Sequence, residues 1–150
     1  MKRAWNDEAE TFMQSYGGSH VDASLLLLPL STDTCRPITL AWTAPWRRSR
    51  IASTSTGGCF GMRKEEAGDG FEVGQGAFLL CSFWHVEVLA MRGETDRAIA
   101  IFDRLLSLRN DLGLLAEEYD PRDGRQLGNV PQAFSHVGIV GAAVALSKDW

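Results

Sequence analysis

The stretch from Asp111 to Leu146, DLGLLAEEYDPRDGRQLGNVPQAFSHVGIVGAAVAL, decides how this chain folds. It reads as a loop followed by a helix. The loop holds two adjacent carboxylates, Glu117 and Glu118, and then Tyr119 and Asp120. Pro121, Asp123 and Gly124 supply turn chemistry. Asn129 and Pro131 read as a helix start, a capping side chain followed by a ring that the first turn tolerates. From Ala133 the chain is apolar on nearly all sides, so the helix that follows is expected to be buried. Gly138 and Gly141 would let its neighbours approach closely.

Working outward, Ala77 to Met91 reads as another buried helix, since Phe78, Leu79, Leu80, Phe83, Trp84, Val86, Val88 and Leu89 cover most of its circumference. His85 and Glu87 are its polar exceptions, and His85 is expected to be a packed or peripheral histidine. Arg92-Gly93 ends the helix with a basic residue and a glycine. Thr95 to Arg109 is amphipathic, with Ala98, Ile99, Ile101, Phe102, Leu105, Leu106 and Leu108 on one face and Asp96, Arg97, Asp103 and Arg104 on the other. The order is therefore inner, outer, inner, and it places the loops GFEVGQG and AEEYDPRDGRQLGN on one rim. Near the N-terminus, Lys2 to Gln14 is expected to be a short helix, broken at Tyr16-Gly17-Gly18-Ser19. His20 in that break reads as a surface histidine. Asp22 or Ser19 would cap the next helix, which runs through Leu25–Leu28 and stops near Pro29.

Three blocks carry a resemblance. They are ETFMQSYGGSHVDASLLLLPL (Glu10 to Leu30), GAFLLCSFWHVEVLAMRGETDRAIAIFDRLLSLRNDLGLL (Gly76 to Leu115) and LLAEEYDPRDGRQLGNVPQAFSH (Leu114 to His136). In this order they resemble the C-terminal part of glycoside hydrolase family 15, the glucoamylases and their bacterial trehalase-like relatives. The resemblance implies an all-α chain forming part of an (α/α)6 barrel, six helix pairs in two concentric layers, with residues 1–150 as a partial domain. It also implies inverting hydrolysis of an α-glucoside, either starch and maltooligosaccharides or trehalose, with no cofactor and no metal. Inversion takes a general acid and a general base roughly 6.5–9.5 Å apart, leaving room for the attacking water.

Within the motif Ala116-Glu117-Glu118-Tyr119-Asp120, Glu117 falls on the family's general base. Glu118 falls where relatives tolerate Gln. Glu118, Tyr119 and His136 are the candidate substrate contacts. If both carboxylates are ionised side by side, Glu118 raises the pKa of Glu117. Taken alone, EEYD would be a solvated acidic loop; the flanking blocks favour the base. The family's general acid lies far upstream, and no block here resembles that region. The chain carries about four or five of the barrel's helices. The expectation is little or no activity for the isolated chain, and self-association through apolar helix faces that lack neighbours.

Between these blocks, STDTCRPITLAWTAPWRRSRIASTSTGGCFGMRK (residues 31–64) has neither helical nor strand periodicity and does not resemble the family. It holds Cys35, Cys59, Trp42, Trp46 and a cluster of Arg47, Arg48, Arg50, Arg63 and Lys64. Codons exist for Cys35 to Lys64 that, read from one base earlier, spell LPADHPRVDGTVAAIEDRLDVDGWVFRYA. That string resembles the family's connector and helix. The segment therefore reads as out of frame, entered near Pro29–Ser31 and left near Lys64–Glu66, and as poorly ordered because its pattern conflicts with its neighbours.

Composition fits one soluble domain: 45% hydrophobic residues over 150, and a net charge of −4. With no basic stripe, nucleic acid is not an expected partner. LLLLPL is too short to span a membrane. MKRAWNDEAE is charged where a secretory leader is apolar, and the three cysteines lack metal-like spacing, so a cytoplasmic protein with reduced thiols is expected.

Other classes fare less well. GDGFEVGQG lacks the strand and spacing of a dinucleotide fingerprint. Phe83 to Leu108 has the look of a tetratricopeptide hairpin, an interaction module, but a single copy of a roughly 34-residue period does not make an array. A nucleophile or metal enzyme would need Cys81 with His85 or His136, and Cys81 sits in the most apolar helix.

Overall fold

The computed structural model describes residues 3–8, 11–19, 21–28 and 76–147. The chain divides into two compact units, Met1–Ile51 with Gly61–Phe71, and Ala52–Phe60 with Glu72–Trp150. His20, the two cysteines Cys35 and Cys59, and the whole of 31–64 lie outside the described residues.

In the first unit the expected helix near the N-terminus is absent among the described residues. Strand β1 (Trp5–Asn6) pairs antiparallel with β2 (Thr11–Phe12), Trp5 opposite Phe12. The two rings meet edge to face, with centroids 5.1 Å apart and planes at 77°. Such a cross-strand aromatic pair favours a hairpin over a helix of mixed polarity. A 3-10 turn, Ala23–Leu26, follows, and the Asp22 carboxylate caps it by accepting from Ser24 N at 2.8 Å. Ala23 and Leu26 are its buried side chains.

The second unit holds strand β3 (Ala77–Phe78), helix α1 (Leu79–Met91), helix α2 (Thr95–Leu106), strands β4 (Glu118–Asp120) and β5 (Arg125–Leu127), and helix α3 (Ala133–Leu146). The chain is helix-rich, as expected. It is not purely helical, because β3, β4 and β5 form a three-stranded antiparallel sheet with β4 in the centre.

Helix α1 is the hub of this unit, packing against both α2 and α3. Leu79, Phe83, Val86 and Leu89 are fully buried, each contributing about 1.5–3 kcal/mol of transfer free energy. Phe83 meets Phe102 of α2 edge to face at 6.2 Å. Gly93, with φ +74°, closes the helix where only glycine sits without strain. In α2, Ala98 and Leu105 face the core. Asp96 in its first turn and Arg104 in its last suit the helix dipole.

Helix α3 crosses α1 at Gly138 and Gly141, as the glycines foretold. A methyl on Gly138 would stand 2.8 Å from the Phe83 ring, and one on Gly141 would stand 2.7 Å from Glu87 Oε1. The expectation that α3 is buried all round needs correcting. Ser135, Gly138, Ala142 and Ala145 are buried, but Phe134 (64%), Val137 (63%), Val140 (62%) and Val144 (47%) are exposed. Their three- and four-residue spacing makes one apolar stripe opposite the α1 contact. No helix among the described residues is long and apolar enough to cross a membrane.

Candidate active site

Of the first rim loop named from the sequence only Gly76 lies among the described residues, and the residues that follow it meet the second loop. Ala77 lies opposite Tyr119 and Phe78 opposite Glu118, so the residues leading into α1 form the edge of the sheet that carries the carboxylates. Gly76 permits this: a Cβ there would stand 2.9 Å from Tyr119 O. The residues leading into α3 close the other side, since Gln132 N donates to Leu115 O at 2.9 Å.

Leu115 and Ala116, which deliver Glu117, are fully buried. Buried backbone must find partners, and here each group does. Leu115 N donates to His136 Nε2 at 3.3 Å. Ala116 N donates to Gln126 Oε1, and Ala116 O accepts from Ser135 Oγ at 2.7 Å. Glu117 N donates to Asn129 O at 3.1 Å, and Glu117 O accepts from Leu79 N at 3.1 Å. Gln126 also donates through Nε2 to Leu108 O at 3.1 Å and Leu114 O at 3.4 Å, tying the end of the α2 connection to the hairpin. The segment is thus gripped by α1, α3 and β5 at once.

The Glu117 side chain is half-buried. Its Oε2 accepts from Asn129 Nδ2 at 2.9 Å and from Asn129 N at 3.3 Å. Asn129 is therefore not the helix cap that the sequence suggested. The residue preceding α3 is Gln132, and it makes no side-chain cap bond. Gly128 stands beside the same carboxylate: its φ is +77°, and a Cβ there would lie 2.8 Å from Oε2.

Glu118 is half-buried on β4. Burial raises its carboxyl above the ordinary value, and the neighbouring charge of Glu117 adds to the rise. Asp120 behaves in the opposite way. The Arg122 guanidinium grips both its oxygens, at 2.9 Å to Oδ1 and 2.6 Å to Oδ2, and Arg122 N donates to Oδ1 at 2.9 Å. That fork holds the Asp120 carboxyl down at about 2. Asp120 is committed to the β4–β5 turn, where Gly124 N donates to its carbonyl at 2.9 Å.

Tyr119 is half-buried and packs against the core cluster. His136 is half-buried, and its Nε2 is taken by Leu115 N–H. Glu117, Glu118, Tyr119 and His136 therefore gather around one loop. Sequence reading missed Gln126, Gly128, Ser135 and the true task of Asn129. Asn129 did carry a signal, but with Pro131 it reads forward into α3, whereas its side chain binds back to Glu117. His85 belongs to no site. It is buried in α1, and desolvation, helped by Arg97, lowers its pKa to about 4. Among the described residues no group of His, Cys, Asp and Glu suits a metal ion.

The model of the glycosyl hydrolases family 15 matches residues 54–144, beginning inside the 31–64 segment. The chain is 40% identical over 146 residues to the trehalase of Mycolicibacterium smegmatis, and equally to that of Mycobacterium tuberculosis. Each match covers 92% of this chain and 20% of the relative. The trehalase of Thermoplasma acidophilum is 32% identical over 153 residues, covering 99% of this chain and 25% of the relative. The chain thus spans a fifth to a quarter of the length of these curated relatives. No solved structure matches it significantly. From the match over 54–144 and the identities to three trehalases, the chain belongs to the glycosyl hydrolases of family 15.

Proposed function

We propose that this chain carries the general-base side of an inverting α-glucosidase site, with Glu117 as the base and trehalose as the favoured substrate. The observation that carries the reading is the grip on Glu117. Every backbone polar group from Leu115 N to Glu117 O is hydrogen-bonded, so the carboxylate is presented from a fixed scaffold. A base that deprotonates water gains from such preorganisation. Trehalose is preferred over starch because the similar proteins are named trehalases. Glu118 and Tyr119 flank the base as substrate contacts. His136 spends Nε2 on the loop, which leaves Nδ1 for a sugar hydroxyl.

The helices α1, α2 and α3 follow the inner, outer, inner order of a partial (α/α)6 barrel, and the apolar stripe on α3 is the face that a further helix would cover. Without the acid-bearing part the chain is inactive alone and self-associates. No cofactor is involved. The 31–64 segment is an out-of-frame translation, supported by the family-like string that its codons can spell. Inspecting the gene decides that point: an intact frame through codons 29–66 would sink it.

The test of the base is a graft. Residues 76–147 replace the matching segment of the M. smegmatis trehalase, and trehalose hydrolysis is measured. Glu117→Gln in the graft is expected to lower kcat by about 10²–10⁴-fold with little change in KM. An unchanged kcat in an active graft would refute the assignment. The purified 150-residue chain is expected to release no glucose above the blank.

A further inference from the structure

We infer that Asn129 is the positioning residue for Glu117, and that it selects Oε1 as the oxygen that takes the proton from water. The inference rests on Glu117 being the base and extends it to a second residue. Asn129 touches Glu117 three times. Its carbonyl accepts from Glu117 N at 3.1 Å, its side-chain Nδ2 donates to Oε2 at 2.9 Å, and its backbone N donates to the same Oε2 at 3.3 Å. Both donors converge on one carboxylate oxygen, and no hydrogen bond from the described residues falls on Oε1. A carboxylate held this way cannot spin freely between its two oxygens. The doubly bonded one is the poorer proton acceptor, because its lone pairs are already engaged.

Gly128 makes the arrangement possible. Its φ of +77° turns the chain so that the Asn129 N–H points back at Glu117, and a side chain there would occupy the space of Oε2 at 2.8 Å. Gly128 and Asn129 therefore act as a unit: one clears the space and turns the backbone, and the other supplies the donors. Asn129 touches no reacting atom in this scheme and acts only through Glu117.

The test is spectroscopic and uses the full chain. In 15N-labelled protein, the Asn129 side-chain NH2 and backbone N–H resonances are followed from pH 7 down to pH 3. Both are expected to move together with pH in the wild type and in Glu118→Gln, and to lose that movement in Glu117→Gln. An asparagine that did not hold the Glu117 carboxylate would show the same pH response with and without Glu117. Asn129 resonances that ignore Glu117→Gln, or that follow Glu118 instead, would overturn the inference. The comparison needs no Asn129 variant, so it stands even if Asn129→Ala fails to fold. Failure here with a Glu117-dependent graft would sink Asn129 alone; a silent Glu117→Gln graft would sink the base itself.

Discussion

Gly138 of α3 lies against Phe83 of α1 so closely that a single methyl would stand 2.8–3.0 Å from three atoms of the Phe83 side chain. Phe83 is fully buried and has Phe102 at its edge, so it has no room to withdraw. Gly138→Ala should therefore destabilise the chain by about 1–3 kcal/mol through overpacking, despite alanine's better helix propensity. Urea denaturation would show a lower midpoint with an unchanged slope. Equal or greater stability in the variant would mean that the helices cross less tightly than described.

His85 predicts an acid-sensitive fold. Its pKa is lowered from 6.5 to about 4 by burial and by Arg97. Between those values the unfolded chain binds a proton that the folded chain refuses, so stability falls as pH drops. The loss begins below 6.5 and reaches about 3 kcal/mol by pH 4. His85→Leu should flatten this part of the curve. Denaturation midpoints at pH 7 and 4.5 for both proteins provide the check.

Glu118 works in the other direction. Its raised carboxyl, due first to burial and then to Glu117, means that the fold keeps this proton to higher pH than the unfolded chain does. Its contribution to stability therefore declines as pH rises above the ordinary carboxylate range. Relative to wild type, Glu118→Gln should be more stable at pH 7 than at pH 4. A pH-independent difference would exclude the proposed cause.

Ser135 closes the loop from the α3 side, donating to Ala116 O from a fully buried position. Ser135→Ala leaves that carbonyl unpaired, and the expected cost is about 1–3 kcal/mol. Hydrogen exchange at Ala116 and Glu117 should accelerate more than exchange in the middle of α1. Uniform acceleration would point to general destabilisation instead.

The stripe of Phe134, Val137, Val140 and Val144 predicts association of the isolated chain. Val137→Lys with Val140→Lys should shift sedimentation towards the monomer without altering helix content. If the pair leaves the association state unchanged, another surface is responsible.

The helices were readable because each was long enough for its pattern to repeat. Ala133–Leu146 is found where expected, and Thr95 and Met91 mark helix ends that the sequence also gave away. What escaped was short or non-local. Strands of two or three residues, such as Trp5–Asn6 and Arg125–Leu127, hold no alternation to detect. The exposure of α3 depends on what lies beside it, and apolar composition alone cannot report that. Asn129 was misread because a residue that can cap a helix ahead can equally bind a carboxylate behind, and only the fold chooses. Glu117 and its neighbours were nominated by the motif, while the grip of Ser135 and Gln126 spans 19 and 10 residues of sequence and leaves no local trace.

The closed hydrogen-bonding around Leu115, Ala116 and Glu117 has a consequence for how specificity can diverge. The pose of this carboxylate is set by residues within a fifth of the relatives' length. Whatever lies elsewhere in proteins of that length can then change without re-aiming this carboxylate. A lineage could rebuild the distant walls around this loop and inherit the carboxylate's aim unchanged.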